Sequence, residues 1–135
     1  NYNFLVIAPN VPFNINFESN NIFIYNNSFV KAEIKNILRN SKKLIGIITH
    51  NNISVPTSIY MFASYRIPVI VMDIKPLNSL VKDFGIGKII KAQKDINSSI
   101  KKIKKNYNSY QIKCDEFMSV NSWDNSIEIH KSVFK

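Results

Sequence analysis

Two prolines constrain this chain more than any other feature, because they bracket one apolar segment, VPTSIYMFASYRIPVIVM at residues 55–72. Pro56 suits the first turn of a helix, where its missing N–H group leaves no hydrogen bond unmade. Pro68 disfavours helix at the residue before it, so the helix has to end by about Arg66. The apolar residues between the prolines follow helical spacing: Ile59, Phe62 and Ala63. The segment therefore predicts a helix that passes directly into a buried strand.

Segments of strand and helix type alternate along the rest of the chain. Short apolar runs that end in turn-forming residues indicate buried strands, and apolar residues at helical spacing indicate the helices between them. The last helix is expected to begin near Ser122, whose hydroxyl suits an N-cap. The predicted strands lie at 4–9, 21–27, 43–49, 68–72 and 87–90. The predicted helices lie at 30–38, 56–66 and 76–81, and two more begin at about residue 93 and about residue 107.

Strands that alternate with helices form parallel sheets with right-handed crossovers. The sequence therefore predicts an α/β fold, a Rossmann-like open parallel sheet of about five strands with helices on both faces and C-terminal helices appended. Residues 1–135 are expected to form a single domain, because a chain of 135 residues leaves little room for a second.

Composition excludes several classes of protein. Hydrophobic residues make up 45% of the chain and aromatic residues 12%, which argues against disorder. No apolar run approaches the roughly 20 residues that a membrane-spanning helix needs. Cys114 is the only cysteine, which excludes a disulfide within the chain and a cysteine-based zinc site. We therefore expect a reduced, cytoplasmic setting and neither a metal nor another cofactor.

Residues 88–113 contain eight lysines and one aspartate, and so carry seven of the nine net positive charges of the chain. Such a cluster suggests nucleic-acid binding. The apolar residues of the same segment, however, form one helical stripe that predicts docking and leaves the lysines on the solvated face. Aromatic residues do not interleave with the charges, so no specific nucleic-acid binding is expected. The stripe consists of Ile96, Ile100, Ile103 and Tyr107.

The polar stretch THNNISVPTS, residues 49–58, follows a predicted strand and precedes a predicted helix. Ligands of open α/β sheets bind at the carboxyl ends of the strands, and the first N–H groups of a helix can bind an anion. Thr57 and Ser58 add hydroxyl donors, although both could instead serve helix capping and solvation of the first turn. His50 is either ligand-facing or a solvated loop histidine.

The segment Pro56 to Val71, PTSIYMFASYRIPVIV, resembles the pattern P-x-K-L-x-E/L-Y-L-A-A-G-L-P-V-I-V of GT-B glycosyltransferases. Downstream, VKDFGIGKII at 81–90 is similar to the v-x-x-x-G-I-G-x-x-v of the same family. The family also has, in the same order, counterparts of three further segments. These are the upstream segments FLVIAPN and IFIYNNSFVKAEIKNIL and the downstream helix in which isoleucine alternates with charged residues. The resemblance covers nearly the whole chain.

This resemblance implies the C-terminal, donor-binding domain of a glycosyltransferase, which binds a nucleotide-sugar donor for polysaccharide or glycan biosynthesis. The first strand–helix unit of that domain and the N-terminal acceptor domain have no counterpart here, and the chain begins at Asn1. We therefore expect a piece of a longer enzyme that is inactive by itself. Its partners would be the donor, the acceptor domain and an anionic surface of the inner membrane, where this family often acts.

The resemblance also implies where the donor binds, whereas it assigns no catalytic residue. The donor diphosphate is expected at Asn52, Thr57 and Ser58, with His50 and Asn51 facing the ligand. The nucleoside is expected at the turn that aligns with the base-binding turn of the family: Asn26, Asn27, Ser28 and Phe29.

Three positions depart from the family pattern. Ser58 replaces the lysine that would neutralise the diphosphate, and Met61 replaces the acidic residue that often holds the ribose. Arg66 replaces a glycine, so it has to leave the left-handed backbone region or bear strain of about 1–2 kcal/mol. These departures keep a second hypothesis open, a non-catalytic Rossmann-like module that binds a nucleotide or a protein.

Overall fold

The computed structural model describes residues 4–7, 22–25, 32–49, 53–122, 125, 127 and 131–132. The chain divides into two compact units, Asn1–Ser41 and Lys42–Lys135. The expectation of one domain over 1–135 stays a prediction.

The first unit contains two parallel strands and a helix. Strand β1 (Phe4–Ile7) pairs with β2 (Ile22–Tyr25), with Phe4 opposite Ile22. Helix α1 (Ala32–Asn40) follows and buries Ile34 and Leu38, which lie one turn apart on one face. All three elements overlap the predicted ones, as far as the described residues extend.

The second unit contains a three-stranded parallel sheet, in the order β3 (Gly46–Ile48), β4 (Val69–Met72) and β5 (Gly87–Ile90). Helix α2 (Ser58–Ser64) connects β3 to β4, and α3 (Leu77–Phe84) connects β4 to β5. The α/β class and the parallel arrangement are confirmed.

A single sheet of about five strands is not confirmed. Within the described residues, the five strands pair as one sheet of two and one sheet of three. Alternating apolar runs indicate where strands form, but they do not specify which strands pair, because pairing depends on contacts between distant parts of the chain.

Helices cover both faces of the three-stranded sheet. Val69 and Val71 belong to the main apolar cluster of this unit, which α2, α3 and α5 (Tyr107–Val120) complete with Ile59, Val81 and Phe117. Ile70 is fully buried as well, and its side chain points to the opposite face because successive residues of a strand alternate. Helix α4 (Ile96–Lys105) packs against β4 and β5 and covers that face.

The apolar stripe of α4 docks the helix as the sequence predicts. Ile100, Ile103 and Tyr107 are buried, whereas Ile96 is half-buried. The lysines of the helix are on the solvated face: Lys101, Lys102, Lys104 and Lys105 are all exposed. None of the helices in the described part of the chain combines the length and the apolar character needed to cross a membrane.

The chain beyond α5 begins another helical turn at the predicted position. The backbone N–H of Asn125 donates to the Ser122 hydroxyl over 3.2 Å, the bond that an N-cap accepts. Residues 125, 127, 131 and 132 are helical.

Arg66 occupies the left-handed backbone region that ends α2. Its φ is 58°, and its N–H donates to the Ala63 carbonyl while the N–H of Ile67 donates to the Phe62 carbonyl. These two bonds form a Schellman motif, in which glycine is the usual residue at the position of Arg66. The arginine therefore bears backbone strain, the second of the two outcomes expected from the sequence. Its guanidinium pairs with Asp115 over 3.0 Å.

Replacing Arg66 by glycine is expected to raise the free energy of unfolding by about 0.5–1 kcal/mol. The glycine relieves the left-handed strain, and this gain exceeds the loss of an ion pair whose two side chains are half exposed. Urea denaturation measures the difference. Ser64→Gly, inside the same helix, is the control and should lower stability by about 1 kcal/mol. Equal losses from both changes would contradict the strained geometry.

Candidate functional site

The candidate site lies at the carboxyl edge of the three-stranded sheet, the edge at which β3, β4 and β5 end. Because the strands are parallel, the segments that follow them meet at this one edge. These segments begin at Thr49 after β3, at Asp73 after β4 and at Lys91 after β5.

The β3–α2 segment leaves hydrogen-bond donors available at the start of α2. The N–H of Ile59 donates to Pro56 and that of Met61 donates to Thr57. The N–H groups of Thr57 and Ser58 have no carbonyl acceptor among the residues that the structure describes. The Thr57 hydroxyl makes no capping hydrogen bond, so the capping alternative for this residue gains no support. Two N–H groups and two hydroxyls therefore remain for a ligand.

The β4–α3 segment places a carboxylate at the same edge. The N–H of Asp73 donates to the Ile90 carbonyl over 2.9 Å, which continues the pairing of β4 with β5. The exposed Asp73 carboxylate accepts a 2.7 Å hydrogen bond from the Asn78 side-chain amide. A carboxylate held in this way can accept hydrogen bonds from sugar or ribose hydroxyls. Asp73 was not among the residues predicted from the sequence, although its position directly after a buried strand could have indicated it.

The β5–α4 segment already holds an anion of its own. The Asp95 carboxylate accepts a 3.2 Å hydrogen bond from the N–H of Ala92, at the single 3₁₀ turn Gln93–Asp95 that precedes α4. Residues 43–72, by contrast, contain no aspartate or glutamate. An anionic ligand is therefore favoured at the β3–α2 segment over the other two segments.

Most of the predicted donor-site residues lie outside the described residues. The structure places Thr57 and Ser58 together at the start of α2, with Thr57 exposed and Ser58 half-buried. The assignments of the others stay predictions: Asn26, Asn27, Ser28, Phe29, His50, Asn51 and Asn52. Among the described residues, no group of three or more His, Cys, Asp or Glu side chains could hold a metal ion.

Two titratable side chains of α5 are buried and serve packing. Burial, and then the Asp115 charge, raise the pKa of the Cys114 thiol to about 12, although Arg66 opposes them. Burial, and then Cys114, raise the pKa of Tyr107 to about 12, although the hydrogen bond to Leu44 opposes them. Both groups are neutral at physiological pH, so neither acts as a ready nucleophile or base.

A layered α/β unit supports many unrelated functions, so its function has to be argued from the site itself. Here the site consists of N–H groups at the start of α2 that have no carbonyl acceptor among the described residues, and a carboxylate on the neighbouring segment after β4. No family model, curated protein or solved structure matches the chain.

Proposed function

We propose that this chain is the donor-binding part of a glycosyltransferase, which holds a nucleotide-sugar for polysaccharide or glycan biosynthesis. The observation that carries the proposal is the pair of N–H groups at Thr57 and Ser58, which have no carbonyl acceptor among the described residues and lie at the carboxyl edge of a parallel sheet. The resemblance of residues 56–71 to the GT-B pattern adds support from the same stretch of chain.

The diphosphate of the donor would bind at the β3–α2 segment. Its oxygens accept hydrogen bonds from the N–H groups and hydroxyls of Thr57 and Ser58, and no carboxylate within 43–72 opposes the charge. Asp73 would accept hydrogen bonds from hydroxyl groups of the same ligand, a task that Met61 cannot perform. The nucleoside is assigned to Asn26–Phe29 by the resemblance.

Transfer itself requires a further domain. Asp115 and Glu116, the adjacent acidic residues of α5, form ion pairs with Arg66 and Lys113 and do not face each other as an acid and a base would. The acceptor site and the general base would lie on the N-terminal domain that the resemblance implies. The complete enzyme would act in the cytoplasm, with an anionic inner membrane surface beside it.

Ser58→Lys is expected to tighten the binding of a nucleoside diphosphate by about 1 kcal/mol or more, which is roughly fivefold in Kd. The new ammonium group restores the cation that the family pattern has at this position. Thr57→Val, which removes a hydroxyl donor, is expected to weaken binding. Titration calorimetry of the three proteins with the same nucleoside diphosphate measures both effects.

Ser64→Lys provides the matched control, because it adds the same charge at the exposed far end of the same helix. It should leave the affinity unchanged. If Ser58→Lys folds normally and gains no affinity, the diphosphate does not bind here. That result would favour the second function, a non-catalytic Rossmann-like module for a nucleotide or a protein partner. Ser58 and Met61, which replace family residues that would bind the donor, also favour this second function over catalysis.

A further inference from the structure

A cleft opens at the amino edge of the three-stranded sheet, the edge at which its strands begin. It has a volume of about 230 Å³ and is lined by Lys43, which precedes β3, and by the junction between α4 and α5, residues 104–109. This space is large enough for several water molecules, at about 30 Å³ each. The cleft lies at the opposite edge from the proposed donor site and does not rest on the proposed function.

The fold brings together lysines that are about sixty residues apart in the sequence. Helix α4 follows β5 and runs back along the sheet, so its last turn reaches the amino edge. The Tyr107 hydroxyl donates a 2.7 Å hydrogen bond to the Leu44 carbonyl and holds this junction beside the segment before β3. Lys104 and Lys105 therefore lie in the same cleft as Lys43.

Among the described residues, those that line the cleft include three lysines and no aspartate or glutamate. Within the described residues, Lys43 and Lys105 form no ion pair, and the nearest acidic residues of α5 are engaged elsewhere: Asp115 pairs with Arg66, and Glu116 with Lys113. Like charges that converge in a cleft raise the local potential and attract an anion.

Neutral donors accompany the three cations. The side-chain amides of Asn106 and Asn108 and the hydroxyl of Ser109 line the cleft. The Asn106 side chain does not cap the 14-residue helix α5. The N–H of Ser109 donates to the Asn106 carbonyl, whereas the N–H groups of Tyr107 and Asn108 have no carbonyl acceptor among the described residues. Several donors around a small space suit a compact anion with several acceptor oxygens, as a phosphate group has.

Lys43 is held in the left-handed backbone region, with φ of 55°. Glycine adopts this conformation without strain, whereas a lysine there carries a backbone cost. The position thus presents a cation to the cleft at the expense of stability, and strained residues concentrate at functional sites.

We propose that this cleft binds a phosphate group through Lys43, Lys104 and Lys105. The ligand is either a free phosphate or phosphomonoester, or the phosphomonoester headgroup of a lipid.

Titration of the ¹⁵N-labelled chain with inorganic phosphate tests the proposal. The amide signals of residues 107–109 should shift to saturation in the wild type. Lys43→Gly should weaken this binding about threefold to tenfold, because one charge-assisted contact is lost. The same variant should unfold at a higher temperature than the wild type, since its strain is relieved. Lower affinity in a more stable protein cannot result from misfolding.

Arg66→Gly is the matched control, because it also replaces a cationic residue in the left-handed backbone region by glycine. Arg66 does not line the cleft, and its guanidinium is paired with Asp115. Arg66→Gly should therefore bind phosphate like the wild type.

Flotation with phosphatidylcholine vesicles, with and without phosphatidic acid, separates the two sources of phosphate. Lys43-dependent binding to the phosphatidic acid vesicles alone identifies a lipid headgroup, whereas saturable shifts with inorganic phosphate identify a free ligand. The proposal is overturned if neither probe binds, or if Lys43→Gly binds both probes like the wild type.

Discussion

Gly87→Ala is expected to lower the free energy of unfolding by about 3 kcal/mol or more, or to prevent the second unit from folding. A Cβ atom at this position would lie 2.0 Å from the Val69 carbonyl oxygen and 2.8 Å from its carbonyl carbon. Both atoms belong to the backbone of β4, the central strand of the sheet, which cannot move without breaking its pairing with β3. Urea denaturation monitored by circular dichroism measures the loss.

Gly85→Ala provides the comparison within the same G-I-G stretch. Gly85 ends α3 with a φ of 67°, and an added Cβ would meet only the Lys113 side chain, at 3.7 Å. The expected loss is about 1 kcal/mol, from the left-handed conformation alone. A Gly87→Ala variant no less stable than Gly85→Ala would show that the close approach of β5 to β4 is absent.

Phe117→Ala is expected to lower the free energy of unfolding by about 3–5 kcal/mol. Phe117 is fully buried, and its ring makes an edge contact with Phe84 at 4.9 Å between centroids and a tilted contact with Tyr60 at 5.4 Å. It thereby joins α5 to both α2 and α3. Since domains of this size are stable by only about 5–15 kcal/mol, the variant should be partly unfolded at physiological temperature.

Ile112→Ala on the same helix is the control for Phe117→Ala, because the Ile112 side chain is 55% exposed. Its expected change is within about 0.5 kcal/mol. Both variants can be measured in the same urea titration, in which equal midpoints would contradict the central position of Phe117 in the core.

Local features of the sequence determined where the elements of the second unit begin and end. Pro56 lies just before α2 and Pro68 just before β4, as the fixed φ of proline and its effect on the preceding residue require. The stripe that ends at Tyr107 likewise specified which face of α4 is buried. Thr57 and Ser58 could be identified in the same way, because a polar stretch between a strand and a helix is a local pattern.

Contacts between distant segments could not be obtained from such patterns. Only the tertiary structure decided that β3, β4 and β5 form a sheet of their own, because strand pairing joins residues far apart in the chain. Asp73 follows a buried strand, which is a local signal, but only the alignment of the strands brings it to the same edge as Thr57 and Ser58.

The lysines show most clearly the difference between what the sequence determines and what only the tertiary structure decides. Sequence spacing determined that Lys104 and Lys105 lie on the solvated face of α4, since helical periodicity depends on neighbouring residues alone. The tertiary structure decided that they share a cleft with Lys43, because the return of α4 to the amino edge and the Tyr107–Leu44 hydrogen bond are long-range contacts. Local geometry is encoded residue by residue, whereas a binding site depends on which segments the fold brings together.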